Sequence, residues 1–521
     1  MGLELSYDKQ LKGKNGYKVY QTDANGYALV DGTLREKDPT NGNDLYLTID
    51  SGLQRNLDYL MSNAYSESGA EVVTAGVMEI KTGKILAMST YPSFNPNERN
   101  ISTFNNYFLE GTIECGSVFK PFIYADSIEE GKYDHNAYYN SGSYNVYYGN
   151  KLVATIKDHN GGQGWGTITY DQGLYHSSNV AICNLLDQGY VTKDVLTEKL
   201  NDLGFFQGDT MDGLTCSSSI NAYTRKNAGR LEYLTTGFGQ GSTVTPYQLL
   251  KAYSVFGNDG KTVQPHIVDK VVNPETNKVV YQATPKYSKQ IFSTNTISQV
   301  KDLMLGVIED EQGTGKTYRL DNDVRMIGKT GTGQVVENGG YSTTLYMHSF
   351  VGIAPYDDPQ VVMFLTFKSG DSYAQYMPNI VKQTMNEALQ VVNRYNAKNT
   401  TAVDQSCTLD SYTNQSVNYV KSKLESKSLS VQIIGNGSSV IEQYPLAKSK
   451  VTSGDKVFIK TEGKDITLPN LIGWSKKEVQ TYASLAGIQL TIDGTSGHVT
   501  AQSVGENTVV HSGDSLTVAI S

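Results

Sequence analysis

Ser117-Val118-Phe119-Lys120, then Ser177-Ser178-Asn179, then Lys329-Thr330-Gly331-Thr332 are the three segments on which the reading of this 521-residue chain turns. Each is weak alone. Ser-x-x-Lys recurs at Ser6/Lys9 and Ser453/Lys456, Ser-x-Asn at Ser93/Asn95, Ser219/Asn221 and Ser293/Asn295, and Lys-Thr-Gly at Lys81-Thr82-Gly83. Context sorts them. Ser117 follows a glycine and leads into the apolar Phe119, Phe122, Ile123 stretch, whereas Lys81-Thr82-Gly83 reads as a hairpin turn. Lys329 follows Val324, Met326 and Ile327, which suit a strand.

In that order the segments describe a serine acyl-transfer site with lysine as the proton partner. Positions i and i+3 of a helix share a face, so Lys120 is predicted to hold its amine near the Ser117 hydroxyl. A serine becomes a useful nucleophile only when a base takes its proton, and lysine is that base only when burial or a nearby cation lowers its pKa. Gly116 lets the backbone approach closely at the helix start. Ser177 is expected to relay a proton between Lys120 and a leaving amine. Asn179 is expected to bond a substrate amide and hold Lys120 in place. Lys329 is expected to lower the pKa of Lys120 by its charge, and Thr330 and Thr332, around Gly331, to offer hydroxyls to a substrate carboxylate. The backbone N–H groups of Ser117 and Thr332 are predicted to form an oxyanion hole. Lysines and hydroxyls with no acid predict an anionic substrate.

Two phosphate-loop look-alikes, Gly313-Thr314-Gly315-Lys316-Thr317 and Gly328-Lys329-Thr330, fail because the required earlier glycine is Asp310 or Asp323. His159 and His176 lie near the motifs in sequence but form no Ser-His-Asp arrangement, and are assigned to packing. The seven histidines show no HExxH or HxH cluster and Cys115, Cys183, Cys216 and Cys407 no zinc-type spacing, so no metal or cofactor is expected and the thiols read as free and buried. A net charge of −9 disfavours nucleic acid as a partner. No run of about 18 apolar residues spans a membrane and no signal peptide is visible. Those two facts leave a cytosolic protein and a piece freed from its anchor both open.

Around the motifs, Asp44–Asp50 alternates like a strand, and Ser51–Leu60 reads as a helix with Leu53, Leu57 and Leu60 on one face. Val72–Ile80 and Ile85–Met88 form a hairpin, and Ala354–Thr366 holds another strand pair around Asp357-Asp358-Pro359. Helices are predicted over Tyr247–Phe256 and Thr296–Val307. The pattern is α+β, with a main domain at 66–396 after a segment at 1–65, and a linker at 397–410. Beyond it Gly435, Val440, Gln443 and Gly454-Asp455 recur as Gly494, Val499, Gln502 and Gly513-Asp514, all 59 residues on. These are two copies of a small α+β module, 411–462 and 463–521.

The ordered trio resembles the signature of class B penicillin-binding proteins, the transpeptidases of bacterial cell-wall synthesis. So do Leu45–Asp50 with Leu53-Gln54, the Lys81–Met88 hairpin with Pro92–Asn97, Gly239-Gln240-Gly241 with Thr245–Gln248, and Ser349–Pro355. Leu468–Ser475 resembles a PASTA domain, and two such modules after a transpeptidase resemble the division-type enzymes of Gram-positive bacteria. The resemblance implies a penicillin-binding, serine β-lactamase-like fold with an antiparallel sheet flanked by helices. It implies that Ser117 attacks the penultimate D-Ala carbonyl of a peptidoglycan stem peptide and that β-lactams acylate the same serine. It also implies a pedestal ending near residue 60, a membrane anchor ahead of residue 1, a place on the outer face of the cell membrane, septal wall synthesis, and a membrane glycosyltransferase as divisome partner. Cys115 stands where the family usually has proline, and Val118 where a hydroxyl or larger residue is common. A β-lactamase is disfavoured because Glu198-Lys199-Leu200-Asn201 is one residue short of that family's Glu-x-x-Leu-Asn. A D,D-carboxypeptidase, or a penicillin sensor that binds muropeptides, stays open as an alternative.

Overall fold

Residues 2–520 are described by a computed structural model, apart from 95–100, 102, 321–323, 338, 400–405, 426, 428, 453–454 and 495–497. Asn95, Pro96-Asn97, Asp323, Ser453, Gly454 and the middle of the linker lie outside the described residues. The chain divides into two units, 1–389 and 390–521.

The first unit begins with a hairpin of Tyr17–Thr22 and Ala28–Lys37. Asp44–Leu47 then pairs with Val268–Asn273. The strand expected to run to Asp50 stops at Leu47, because the Asp50 carboxylate turns to accept the Gly52 and Leu53 N–H groups, both at 3.0 Å. That caps α1 (Ser51–Ser68), which extends past Leu60 as Met61 and Ala64 continue its buried stripe.

Next come the hairpin strands β1 (Val72–Glu79) and β2 (Ile85–Tyr91). A 3-10 turn over Gly116–Phe119 leads into α2 (Lys120–Glu129). Pro121 sits in the first turn of α2, where its missing N–H has no helical partner to lose. A hairpin of β3 (Ser143–Tyr148) and β4 (Lys151–Lys157) precedes α3 (Asn179–Asp187). The helix expected over Tyr247–Phe256 is α4 (Pro246–Tyr253), whose end tightens into a 3-10 turn over Ser254–Gly257. Then follow α5 (Thr294–Glu309), β5 (Ile327–Glu337), β6 (Gly340–Ala354), β7 (Val361–Ser369) and α6 (Met377–Asn399).

Five of these strands form one antiparallel sheet in the order β5-β6-β7-β1-β2. The early hairpin and the late strands are therefore partners, with β5 on an outer edge. Met78, Ile327, Val351, Ile353, Val362 and Phe364 carry this sheet into a continuous core with α2, α3, α4 and α5. At its centre Phe122 of α2 meets Phe119, Phe205, Tyr253 and Phe256, with ring centroids 5.0–5.9 Å apart. Cys115, Cys183 and Cys216 are buried free thiols.

In the second unit α7 (Val417–Glu425) accompanies β8 (Ser430–Ile434), β9 (Val440–Tyr444) and β10 (Lys456–Thr461), and α8 (Lys476–Ala486) accompanies β11 (Gln489–Asp493), β12 (Val499–Gln502) and β13 (Ser515–Ile520). Each sheet pairs its last strand parallel to the first and antiparallel to the second. The repeated glutamines do the same work in both modules. Gln443 Oε1 accepts the Tyr412 N–H and Gln502 Oε1 the Leu471 N–H, each at 2.7 Å. Phe458 of the first module packs with Trp474 and Tyr482 of the second in a shared apolar cluster. Among the described residues no helix is long and apolar enough to cross a membrane.

The aromatic cluster holds α2, and with it the catalytic-motif lysine. Phe122→Ala is expected to cost about 3–5 kcal/mol, read as a lower denaturation midpoint in urea or heat.

Candidate active site

The sequence from Glu114 to Lys120 folds against the edge of the sheet because three glycines remove the side chains that would keep the backbones apart. A Cβ on Gly116, whose φ is +62°, would lie 2.3 Å from the Thr332 carbonyl oxygen. One on Gly333 would lie 1.7 Å from the Glu114 carbonyl oxygen, and one on Gly239 would lie 2.2 Å from that of Gly116. The Gly116 N–H donates to the Gly239 carbonyl at 3.1 Å, and the Tyr253 hydroxyl holds the turn by donating to the Val118 carbonyl at 2.5 Å.

This contact orients two N–H groups. In an antiparallel strand the N–H and C=O of one residue point to the same side. Because the Thr332 carbonyl faces Gly116 off the free edge of β5, its N–H faces that way too. Ser117 is the second residue of the 3-10 turn, where N–H groups have no intrahelical acceptor. The turn that carries Ser117 is thus packed against the Thr332 backbone. Among the described residues the Ser117 hydroxyl takes no hydrogen-bond partner, and Ser117 lines a cleft of about 1140 Å³.

Both lysines are fully buried and converge on Ser177. Lys120 Nζ donates to the Ser177 carbonyl at 2.5 Å and lies 3.4 Å from its Oγ; Lys329 Nζ donates to that Oγ at 2.8 Å and to the Thr330 carbonyl at 3.0 Å. Burial pushes Lys120 down to about 7, against an opposing pull from the negative Asp158. Burial, and then the charge of Lys120, pushes Lys329 well below its ordinary value. Desolvation, not the charge of Lys329, is therefore what lowers the Lys120 pKa. Ser177 reaches this place through a left-handed backbone, φ 57°, at the corner before α3.

Asn179 does not hold Lys120. Its Nδ2 donates to the Lys157 carbonyl of β4 at 2.9 Å, which ties the α3 start to the cleft wall. The α3 start is organised instead by Asp158, a buried residue that the motif search missed. Its Oδ1 accepts from the Ser178 hydroxyl and from the N–H groups of Asn179 and Val180 at 2.7–3.1 Å, and its Oδ2 from the Gly142 N–H at 2.8 Å. Nothing in the local sequence marks it, since its partners lie on other elements.

Thr330, Gly331 and Thr332 all line the cleft. The Thr330 hydroxyl donates to Thr314 Oγ1 at 2.8 Å, and the Thr314 N–H to the Tyr175 carbonyl at 3.1 Å. The segment set aside as a failed phosphate loop thus supplies a cleft residue. Glu198 lies on a helix over Lys193–Asp202 and is not part of the cleft lining. His159 and His176 pack around Trp165, with the His176 and Trp165 rings stacked at 4.6 Å, and burial lowers both histidine pKa values. The expectation of a cleft without acid is corrected: Glu114 and Glu232 both line it.

Comparison with known proteins bears on the same residues. The family described as the penicillin binding protein transpeptidase domain matches residues 73–390, a penicillin-binding protein dimerisation domain matches 1–47, and PASTA domains match 408–463 and 466–521. Stage V sporulation protein D of Bacillus subtilis is 30% identical over 485 residues, covering 89% of this chain and 72% of that protein. A probable peptidoglycan D,D-transpeptidase PenA of Neisseria flavescens is 27% identical over 408 residues, covering 75% of this chain and 94% of the relative. In fold, the chain is similar to the crystal structure of penicillin binding protein 2X from Streptococcus thermophilus, with a TM-score of 0.66 at 24% identity over 100% of this chain and 78% of that one.

The glycine contact gives a direct test. Gly116→Ala forces the turn off β5, and acylation of the site is expected to fall by about 100-fold or more while far-UV circular dichroism stays unchanged.

Proposed function

This chain belongs to the class B penicillin-binding proteins, peptidoglycan D,D-transpeptidases that here carry two PASTA modules, and on that premise we propose that Ser117 is its acyl-transfer nucleophile. The observation that carries the proposal is the pair of buried amines sharing one hydroxyl, Lys120 and Lys329 on Ser177, in a cleft where the Ser117 hydroxyl is unbonded.

Neutral Lys120 takes the Ser117 proton as Oγ attacks the penultimate D-Ala carbonyl of a stem peptide. The Ser117 and Thr332 N–H groups hold the oxyanion. The Ser177 hydroxyl, in reach of both amines, passes the proton to the departing D-Ala nitrogen. Lys329 with the Thr330 and Thr332 hydroxyls receives the terminal carboxylate. An amine of a neighbouring stem peptide then resolves the ester. A β-lactam offers the same carbonyl and carboxylate, and acylates the same serine.

We assign the setting to septal wall synthesis on the outer face of the cell membrane, beside a membrane glycosyltransferase. The likeness to a relative named for sporulation makes a sporulation-linked wall the variant of that setting to test. We divide the chain into a pedestal segment at 1–65, the transpeptidase at 66–396, a linker at 397–410 and modules at 411–462 and 463–521; the order of the family matches supports this sequence of parts, while the first PASTA match begins at 408 and the strand Ser406–Thr408 pairs with Lys450–Thr452, inside the linker bounds.

Incubation with a fluorescent penicillin followed by intact-mass analysis is expected to show one adduct on the wild type and none on Ser117→Ala. Labelling that survives the substitution overturns the assignment. The pH profile tests Lys120. Because its amine is the active form and titrates at about 7, acylation is expected to level off above that pH. Below it the rate should fall about tenfold per unit as the ammonium forms. Lys120→Ala should lose both the rate and this limb.

A further inference from the structure

Transpeptidation needs two substrates of opposite charge at their reacting ends: a donor ending in a carboxylate, and an acceptor that arrives as an ammonium. Lys120, Lys329 and the threonine hydroxyls suit the first. Glu114 offers what the second requires. It is 8% exposed, and it lines the cleft that Ser117 lines. Its carboxylate accepts from the Tyr341 hydroxyl at 3.2 and 3.5 Å and from the Gly241 N–H. Among the described residues no lysine, arginine or histidine forms an ion pair with it. The other cleft carboxylate, Glu232, is already committed to its helix start, accepting the Gly229 N–H at 2.7 Å. A buried carboxylate without a cation is costly, and an ammonium in the cleft would complete it.

Position along β5 separates the two ends. Lys329 sits at the Ser177 end of the strand, and Gly333 lies against the Glu114 backbone. The four residue steps from one to the other span roughly 13 Å. Gly116, next to Ser117, contacts Thr332 inside that interval. The nucleophile therefore lies between a cationic end and an acidic one.

We propose that Glu114 is the binding group for the acceptor amine, a primary ammonium, on the acyl-enzyme formed at Ser117; this rests on the acyl-transfer reading above. The ammonium gives one proton to the Glu114 carboxylate, which releases it to solvent. The amine nitrogen bonds to the acyl carbon, the carbon–Oγ bond of Ser117 breaks, and the second amine proton returns through Lys120 to Ser117 Oγ. The products are an amide, the free serine and one proton. Burial raises the Glu114 pKa above the usual carboxylate value, which suits it to accept a proton.

The test follows an acyl-D-alanine thioester as donor with Nα-acetyl-L-lysine as acceptor, measuring aminolysis against hydrolysis. Glu114→Gln keeps one acceptor oxygen for Tyr341 or Gly241 and removes the charge. It is expected to take up fluorescent penicillin and hydrolyse the thioester at the wild-type rate, while KM for the acceptor rises about tenfold or more. Glu114→Asp should recover part of that loss. An unchanged acceptor KM in a variant that still acylates overturns the role of Glu114 alone. Absence of acylation in the wild type overturns the acyl-transfer reading, and this role with it. The wild type gives a second arm that does not depend on the variant folding: the Nε-trimethyl analogue of the acceptor should compete with it and leave acylation untouched. Failure to compete also overturns the proposal.

Discussion

Everything at the site depends on one backbone contact, the packing of residues 114–117 against the open edge of β5. Gly116, Gly333 and Gly239 bring three backbones within distances that a single Cβ would forbid. The contact orients the Thr332 N–H off the strand edge and sets Ser117 at the start of its turn. Sheet, turn and helix thereby meet at one contact. The aromatic cluster around Phe122 anchors the helix behind the serine, and the Tyr253 hydroxyl fastens the turn itself.

Burial supplies the electrostatics. Two amines enclosed together with one hydroxyl cannot both hold a full charge cheaply, so burial draws both pKa values down, that of Lys120 to about 7. Asp158 limits the effect, since its negative charge pulls Lys120 back toward the charged form. The same carboxylate organises the start of α3 and so fixes the corner that presents Ser177. One buried acid thus both organises the start of α3 and opposes the lowering of the Lys120 pKa.

The sequence was legible where function is written in fixed spacing. The trio could be picked out among its decoys because order and flanking apolar runs differ, and the C-terminal repeat was visible as a constant offset. Its glutamines turned out to secure matching loops in both modules. Helix ends were less legible: α1 ran past Leu60 because burial of Met61 and Ala64 continued its stripe, and Asp50 became a cap where a strand residue was expected. Asn179 was given the right neighbourhood and the wrong partner, since a side-chain amide binds whichever carbonyl the fold brings near. Thr314 was set aside with a failed phosphate motif and returned as the partner of Thr330. Asp158 and Glu114 carried no local signal at all.

By itself the sequence determined the α+β class and the repeated modules, through periodicity and a constant offset along the chain, and it carried the motifs whose resemblance pointed to the family. The tertiary structure alone decided that β1 and β2 join β7 in one sheet, that both lysines meet at Ser177, that desolvation tunes Lys120, and that an acid faces the cleft. Those are properties of distance and burial between segments far apart in sequence. No local pattern encodes them, since a pKa or a hydrogen-bond partner depends on what the fold brings alongside and on how much water it leaves there.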